Sequence, residues 1–455
     1  MSSLFGSMSI ATGAMLVEQA AISVTANNVS NIDTPGYTRQ VAELSEAEPH
    51  FDGTCMVGTG VSLEQITSLR DRILELRVQD ENQQQGSLQA QVSSLSDINL
   101  EFSTQNANIG DALNKFFDSL SSLSPDPSNI SLRQSVLMSA QNLASQFQST
   151  SNLLHQRQFS VELEIQQAVD QVNGITSQIA DLNQKITTSG TPEDQQGTFV
   201  DQRNLLLQNL SSLIGNHVIQ GDDGLTVAAP DGTPLVVGSK AYAIDTSKDP
   251  NGNTLLEVGG HDITDSQSGG SIQGLLQVRQ QTIPSILAGL DAIAYNLATN
   301  VNSLHAQGTD LDGNPGADFF VAPTSESGAA AAMAVRITDP RQIAASTDGS
   351  TGGNSNLNAL TDLRNEPIVN GSSVVDAYSN LTFQVGSQLA EAQSGLQNAE
   401  AMSQQLSDQR GAISGVSLDE EASNLIRYQR AYEAAARVLS VISDLTEVSV
   451  NLGKS

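Results

Sequence analysis

Histidine and acidic side chains are the groups in this sequence that could hold a metal ion or move protons. Histidine binds a metal ion when further ligands follow at the spacing of a helix turn, as in H-E-x-x-H. The segment His261 to Asp265, HDITD, comes closest to a ligand cluster, but it reads more simply as the polar edge of a β hairpin. We predict no catalytic or metal-binding role for the five histidines, which occur singly at His50, His155, His217, His261 and His305.

A second candidate site is the segment DLDGN at 310–314, which resembles the opening of a calcium loop. Such a loop requires glycine at its sixth position and a bidentate glutamate at its twelfth, where this sequence has Pro315 and Val321. We therefore predict a tight polar turn and no metal.

Motifs for nucleotide binding or nucleophilic catalysis are also missing. The sequence has no G-x-x-x-x-G-K-[ST], no G-x-G-x-x-G after a strand and no G-x-S-x-G elbow. Cys55 is the single cysteine, so neither an intramolecular disulfide nor a thiolate metal site can form. We predict a protein that is not an enzyme and uses no cofactor.

Charge narrows the range of partners. The 455 residues include 20 Lys and Arg against 50 Asp and Glu, a formal net charge of −30. This field would repel phosphate backbones, so nucleic acid is not an expected partner. The first basic residue is Arg39, so the charged start of a signal peptide is missing. The nearest approach to a membrane segment, Ala329 to Val335, is too short, so we predict no membrane insertion.

The N-terminal segment has the pattern of an amphipathic helix from Leu4 to Val29. Pro35 and Gly36 then favour a turn, since proline cannot continue a helix and glycine tolerates positive φ. We predict that the apolar face follows the heptad Met8, Met15, Ile22 and Val29.

The C-terminal segment has the same character. Ser417 and Glu420 have the spacing of a capping box that would start a helix. One apolar series is spaced by sevens and another by threes and fours: Leu418, Leu425, Tyr432 and Leu439, then Val438, Val441, Leu445, Val448 and Leu452. Because an isolated helix is marginal in water, each terminal helix needs a partner, and we predict that these residues form the interface.

The middle of the chain also predicts helices. Seven successive a/d positions form a coiled-coil-like seam: Ile165, Ala168, Val172, Ile175, Ile179, Leu182 and Ile186. Further helical patterns run over 63–100, 132–154, 205–214, 275–304 and 374–406. We predict a mainly α fold, an elongated helix bundle built from the terminal segments and long central helices, with a small inserted β subdomain.

The predicted β subdomain begins near residue 215, where short apolar runs alternate with Gly, Asp, Asn and Pro turns. After about residue 310 the composition is typical of loops, with one extended piece from Ala334 to Thr338. The predicted units are 1–60 with the N-terminal helix, 61–214 helical, 215–270 β hairpins, 271–310 a returning helix, 311–373 loop-rich, 374–404 helical, and 405–455 the C-terminal helix that pairs with 1–60.

Both termini carry specific motifs. The segment ANNVSN at 26–31 continues to TPGY at 34–37, and SGVSLDEEASNLIRYQRAY spans 414–432. Together they resemble the two terminal signatures of the bacterial flagellar axial proteins, the family of rod, hook and hook-associated subunits. The residues that carry the N-terminal signature are Asn27, Asn28, Asn31, Thr34, Pro35, Gly36 and Tyr37.

Two internal motifs are similar to those of the hook-associated branch of that family. They are VDQRNLL at 200–206 and GTDLDGNPGADFF at 308–320. The resemblance thins between about 321 and 370, where larger relatives would insert an outer β domain after the paired phenylalanines.

The resemblance implies a structural adaptor at the hook–filament junction, in which the terminal helices pair as an inner layer and pack coaxially with neighbouring copies. Its implied partners are copies of itself, the hook protein, a second junction protein and an export chaperone on the C-terminal helix, 418–452. It also implies export through the flagellar type III channel, hence a brief cytoplasmic stage before an extracellular location.

Two alternatives remain open. A hook or rod subunit would share the terminal signatures but should have a mostly β middle, which the seam at 165–186 disfavours. A secreted hydrolase exported by the same route would need a catalytic constellation.

Overall fold

The structure is a computed structural model, which describes residues 2–51, 56–103, 108–221 and 224–452. Cys55, and with it the prediction about disulfides, lies outside the described residues. The mainly α prediction is confirmed, because long helices dominate and the strands form small sheets.

The terminal helices are α1 (Ser2–Ser30) and α11 (Leu418–Leu452), and they pack against each other. Helix α11 begins directly after Ser417, but Glu420 does not act only within its own helix. Its carboxylate accepts a hydrogen bond from Arg39, which belongs to the N-terminal segment.

A β hairpin that the sequence analysis missed follows α1. Strands β1 (Gln40–Glu46) and β4 (Val61–Ser68) pair antiparallel, with a register shift between Glu43 and Leu44. The short strands β2 (His50–Phe51) and β3 (Met56–Val57) extend it. The helix predicted from residue 63 is therefore wrong over 63–71, since α2 begins only at residue 72, and the predicted boundary at 60/61 cuts through this hairpin. The shifted register interrupts the period of two by which a strand is recognised.

Two helices run from the terminal pair into the body of the molecule, α2 (Arg72–Ser103) and α10 (Val374–Ser414). They pack along each other, with small residues opposite leucines at two points of the contact. Gly395 lies against Leu88, and Ala392 packs in a cluster with Leu95 and Leu389. Small residues let two helix backbones approach closely.

The main core is built on α3 (Ile109–Leu123), α4 (Ile130–Thr188) and α5 (Gly197–Leu213). Asn108 and Asn129 start the first two, since each side chain accepts hydrogen bonds from backbone N–H groups of the first turn. Helix α4 has 59 residues, so at 1.5 Å per residue it is about 88 Å long. It joins the two separately predicted helices at 132–154 and 165–186 into one.

The inserted β subdomain consists of seven short strands, β5 (His217–Gly221), β6 (Gly224–Ala228), β7 (Pro234–Val237), β8 (Lys240–Ala241), β9 (Ile244–Lys248), β10 (Thr254–Val258) and β11 (His261–Asp262), within the described residues. They form two antiparallel sheets, with strand orders β5-β6-β7-β8 and β11-β10-β9. Leu225, Val227, Leu235 and Val236 face the core, whereas Val237 is exposed. His261 therefore lies on an edge strand, as predicted.

The returning helix is interrupted. Helices α6 (Gly270–Gln277) and α7 (Ile283–His305) are joined by a π-helical segment, Val278–Thr282. This segment places Arg279 against the buried carboxylate of Glu162 on α4 and the carbonyl of Thr254 on β10. The ion pair attaches the β subdomain to the longest helix.

The loop-rich segment after α7 contains α8 (Ala329–Ala332), α9 (Ser355–Asp362) and the 3-10 turn Pro340–Gln342. It packs tightly, with Phe319 and Phe320 buried against Phe116. The predicted extended piece at 334–338 contributes one bridge, Phe320 with Val335, and no ladder.

The segment at 310–314 is the expected polar turn. The Asp310 carboxylate accepts hydrogen bonds from the backbone N–H groups of Asp312 and Asn314, and Gly313 has a φ of +84°. Within the described part of the chain, no three His, Cys, Asp or Glu residues are placed to hold a metal ion.

One described stretch, Leu4–Ser30, is long and apolar enough by composition to cross a membrane. Polar residues interrupt its apolar runs, so the search for an uninterrupted apolar stretch did not predict it. A helix that packs on another helix in a folded protein passes the same test, and α1 packs on α11.

Candidate assembly interface

The pair formed by α1 and α11 is antiparallel. Arg39, shortly after the end of α1, contacts Glu420 and Glu421 at the start of α11. Further along, the charge of Arg427 acts on Glu18, whose pKa is raised by burial and lowered in part by that arginine. The two chain ends therefore lie together, away from the helical body.

The buried stripe of α1 differs from the predicted heptad. It consists mainly of small residues: Ala11, Val17, Ala21, Val24, Thr25 and Asn28. Met15 and Ile22 are half-buried at its margin, whereas Met8 and Val29 are exposed. The predicted apolar face of α1 is thus wrong as the contact within one chain, because small side chains permit a closer approach than the bulkier heptad does. A contact of the heptad with another molecule stays a prediction.

Helix α11 carries two apolar stripes. The inner stripe faces α1 and includes Leu425, Tyr432 and Leu439, which are half-buried, with Ile442 buried. The outer stripe consists of Val438, Val441, Leu445 and Val448, all exposed, and lies roughly 150° around the helix from the inner stripe at 100° per residue. Leu418 is also exposed, and the side chain of Leu452 lies outside the described residues.

The N-terminal signature forms a hydrogen-bonded turn at the end of α1. The Asn31 amide donates to the carbonyl of Asn27 at 2.9 Å, and the Thr34 hydroxyl donates to the Asn31 side chain at 3.1 Å. Pro35 follows in the turn, and Gly36 has a φ of +79°, which only glycine adopts easily.

Asn28 is the centre of this turn. Its side-chain oxygen accepts hydrogen bonds from the Tyr37 hydroxyl at 2.8 Å and the Gln40 N–H at 2.9 Å, while its amide donates to the Gln40 carbonyl at 2.8 Å. Burial, with the nearby charges of Asp201 and Glu421, raises the pKa of Tyr37 to about 12. The phenol thus remains a neutral donor, and the signature fixes the direction in which the chain leaves α1.

Asp201 attaches the signature to the helical body. Its carboxylate accepts a hydrogen bond from the Thr38 N–H at 3.0 Å and pairs with Arg70 at 2.7 Å. Arg410, near the end of α10, pairs with Glu75 at 2.9 Å and donates to the Gly36 carbonyl. The motif at 200–206 was noted in the sequence, but its contact with the N-terminal signature was not predicted.

Arg39 attaches the signature to the C-terminal helix. Its guanidinium lies 2.7 Å from the carboxylates of both Glu420 and Glu421. The backbone N–H of Arg39 donates to the Ser414 carbonyl at 2.9 Å. Five residues, 36–40, therefore contact α1, α5, α10 and α11. Arg39 is not among the predicted interface residues, although it lies shortly after the signature and the two glutamates lie within the C-terminal motif.

Matches to protein-family models separate the two ends of the chain from its helical middle, as the structure does. A model described as the flagellar hook-associated protein FlgK helical domain matches residues 95–320. A flagella basal body rod protein model matches 8–38, and a flagellar basal body rod FlgEFG protein C-terminal model matches 409–452.

Curated relatives match over nearly the whole chain. The flagellar hook-associated protein 1 of Bacillus subtilis is 28% identical over 501 residues, covering 99% of each chain. That of Salmonella typhimurium is 27% identical, covering 95% of this chain and 97% of its own. The structure of the flagellar hook junction protein FlgK from Burkholderia pseudomallei has a TM-score of 0.67 at 19% identity, covering 74% of this chain and 100% of that one, which supports the fold.

A helical body carried on paired terminal helices, with rod-type motifs at both ends, defines a flagellar axial subunit. The chain belongs to the family of bacterial flagellar rod, hook and hook-associated proteins, as its terminal motifs indicated. Within it, the chain is similar to hook-associated protein 1. It is a structural component of the flagellum and serves motility.

Proposed function

We propose that this chain is the adaptor between hook and filament, and that its terminal helices pack coaxially with those of neighbouring copies. The outer stripe of α11 carries this proposal. Val441 is 58% exposed and Leu445 is 51% exposed, although their spacing is that of a buried helix face. A regular apolar stripe that remains uncovered in one chain marks an interaction surface.

The area involved is sufficient to drive association. Four aliphatic side chains that are about half exposed would each contribute about 1 kcal/mol on burial, hence about 4 kcal/mol per contact. The exposed residues of the α1 heptad, Met8 and Val29, would add to this. Because the stripes of α1 and α11 differ, the contact between copies joins unlike surfaces and can repeat from one copy to the next, which suits a tubular lattice.

The partners follow from the family. The relatives are named as hook-associated, and the structural relative as a hook junction protein. We propose the hook protein as the partner on one side, a second junction protein on the other, and an extracellular location at the hook–filament junction. Before export, a dedicated cytoplasmic chaperone would cover the region 418–452. Neither nucleic acid nor membrane insertion is part of this proposal.

We also propose that the chain is not an enzyme. The cavity of about 510 Å³ beside α2 and α5 is lined by Arg70, Glu75 and Arg203, the charged groups that a catalytic site would need. Each is paired for structural purposes: Arg70 with Asp201, Glu75 with Arg410, and Arg203 with Glu193.

The decisive experiment is deletion of the gene, followed by electron microscopy of the cells. We expect finished hooks without filaments, and restoration of filaments by the intact chain. Absent or unfinished hooks would instead identify a hook or rod subunit. Reproducible clearing of peptidoglycan or protein substrate by the purified chain would contradict the non-enzymatic assignment.

A further inference from the structure

The hairpin β1–β4 and helix α11 form the two margins of one layer, because α1 lies between them and packs against both. Gly60, next to β4, packs on Ile10, and the Val61 carbonyl lies close to Gly13. At the other margin, the outer stripe of α11 points away from α1. Each copy thus offers two different free edges.

The two edges carry opposite charge. Between Gln40 and Leu69 the sequence has no Lys or Arg, and its exposed acidic residues are Glu43, Glu46, Glu48 and Glu64. The middle of α11, residues 422–443, is basic by contrast, with Arg427, Arg430 and Arg437 against the single acid Glu433. At 100° per residue, Arg430 and Arg437 lie on the side of the helix that faces away from α1. Arg430 and Arg437 form no ion pair with any described residue of their own chain, which has only 20 basic residues in all.

Both edges also carry exposed apolar residues. At the far end of the hairpin Phe51 is 59% and Met56 is 62% exposed, and Val57 is exposed as well. On α11 the apolar residues Val438 to Val448 follow the arginines. Each edge is therefore divided into a charged half and an apolar half.

The charged half and the apolar half follow in the same order along both edges. Gln40 is bound to Asn28 and Gly60 packs on Ile10, so the hairpin follows α1 for 18 residues, roughly 27 Å at 1.5 Å per residue. Measured from Glu420 at the same end, about 27 Å along α11 leads to residue 438. The glutamates of β1 and β4 therefore lie level with the arginines of α11, and Phe51 and Met56 lie level with Val441 to Val448.

We propose that the β1–β4 hairpin of one copy covers the outer face of α11 in the next copy, at nearly the same axial level. This rests on the self-association proposed above and names its contact. Glutamates of the hairpin pair with Arg430 and Arg437, while the hairpin end covers the apolar stripe. Because the two edges are unlike, each copy can receive a hairpin and supply one, so the contact repeats around a tube.

Disulfide trapping in assembled flagella tests this contact. The full chain would carry Cys55→Ser, Glu46→Cys and Arg437→Cys as the only copy in cells, and hook–basal bodies would be isolated and oxidised. We expect covalent dimers and higher ladders. The matched control replaces Arg437→Cys with Ser443→Cys, an exposed position about 120° around α11 from residue 437 at 100° per residue, and should give none. Equal trapping of both pairs, or none at 46/437 in cells that still make filaments, overturns the proposal.

Charge exchange gives an independent test. Arg430→Glu with Arg437→Glu should reduce the number of cells with filaments about tenfold, because like charges then face each other. Adding Glu46→Arg with Glu64→Arg should restore filaments, since every copy then carries the exchanged pair. Circular dichroism would confirm that all variants are folded. A fourfold variant as defective as the double one, or a double one with normal filaments, would refute the pairing, whereas failure of the unaltered chain to restore filaments would instead refute the junction role.

Discussion

The guanidinium of Arg39 lies 2.7 Å from the carboxylate of Glu421, which joins the N-terminal segment to the first turn of α11 across 382 residues of sequence. The Glu421 side chain is only 2% exposed, and Arg39 supplies the counter-charge that a buried carboxylate requires. The start of the C-terminal helix is therefore held by the N-terminal signature.

Replacing Arg39→Ala should loosen the start of α11, because it leaves Glu421 buried without its counter-charge. We expect local opening to become easier by about 2 kcal/mol. Hydrogen exchange of amides 418–428 in the full chain measures this. Arg364→Ala, which removes an exposed pair with Asp118, is the control and should leave these amides unchanged. Strict additivity of Arg39→Ala and Glu421→Gln would show that the two residues act independently.

Leu445→Asp should prevent incorporation at the hook tip without unfolding the helical body, since it places a charge on the outer stripe of α11. Electron microscopy of hooks and the melting temperature of the purified chain are the two measurements. Ser440→Asp adds the same charge to another face of the same helix and should be incorporated. Normal incorporation of Leu445→Asp would remove the case for an apolar contact between copies.

His305 should make stability depend on pH. It is buried, its Nε2 accepts a hydrogen bond from the Ala344 N–H at 2.9 Å, and Nδ1 faces the Ala317 carbonyl, so the ring must be neutral. Burial lowers the pKa of His305 below its ordinary value.

Below about pH 6.5 the unfolded chain therefore binds a proton that the folded chain resists, and the free energy of unfolding falls as pH decreases, by at most about 1.4 kcal/mol per pH unit. Urea unfolding between pH 7.5 and 5.5 measures the slope. His305→Gln should be less stable at neutral pH and should lose this part of the slope; an unchanged slope would assign it to other groups.

Glu162→Gln should weaken the attachment of the β subdomain to α4. Burial raises the pKa of Glu162, but hydrogen bonds from Thr254 and the charges of Arg279 and Lys248 outweigh it and hold the pKa below its usual value. Loss of the charge leaves Arg279 buried and uncompensated, at a cost of about 3 kcal/mol in chemical denaturation. Asp170→Asn, an exposed position two turns along α4, should cost little. Equal stability of the two variants would contradict a structural role for the pair.

The sequence predicted the terminal helices, the seam at 165–186 and the β subdomain, because each is encoded by a local period. It failed where a contact depends on distant residues. Arg39, Asp201 and Glu421 meet only after the whole chain has folded, and no spacing relates them.

Two predictions, the buried face of α1 and the helix over β4, were wrong for steric and local reasons. On α1 the bulkiest apolar residues suggested the buried face, but the residues buried between α11 and the β1–β4 hairpin include smaller ones such as Ala11, Val17 and Ala21. In the hairpin, the register shift between Glu43 and Leu44 disrupts the alternation, so the residues of β4 were read as the start of a helix.

Because α1 pairs with α11, the first helix of the chain can complete its packing only after the last helix has been made. A chain whose synthesis stops before residue 418 would keep the β1–β4 hairpin on α1 but would lack the helix that covers its other side, and its signature would lack Glu420 and Glu421. Truncation of the C-terminal end therefore also removes contacts that hold the N-terminal segment, although the two lie almost the whole length of the sequence apart.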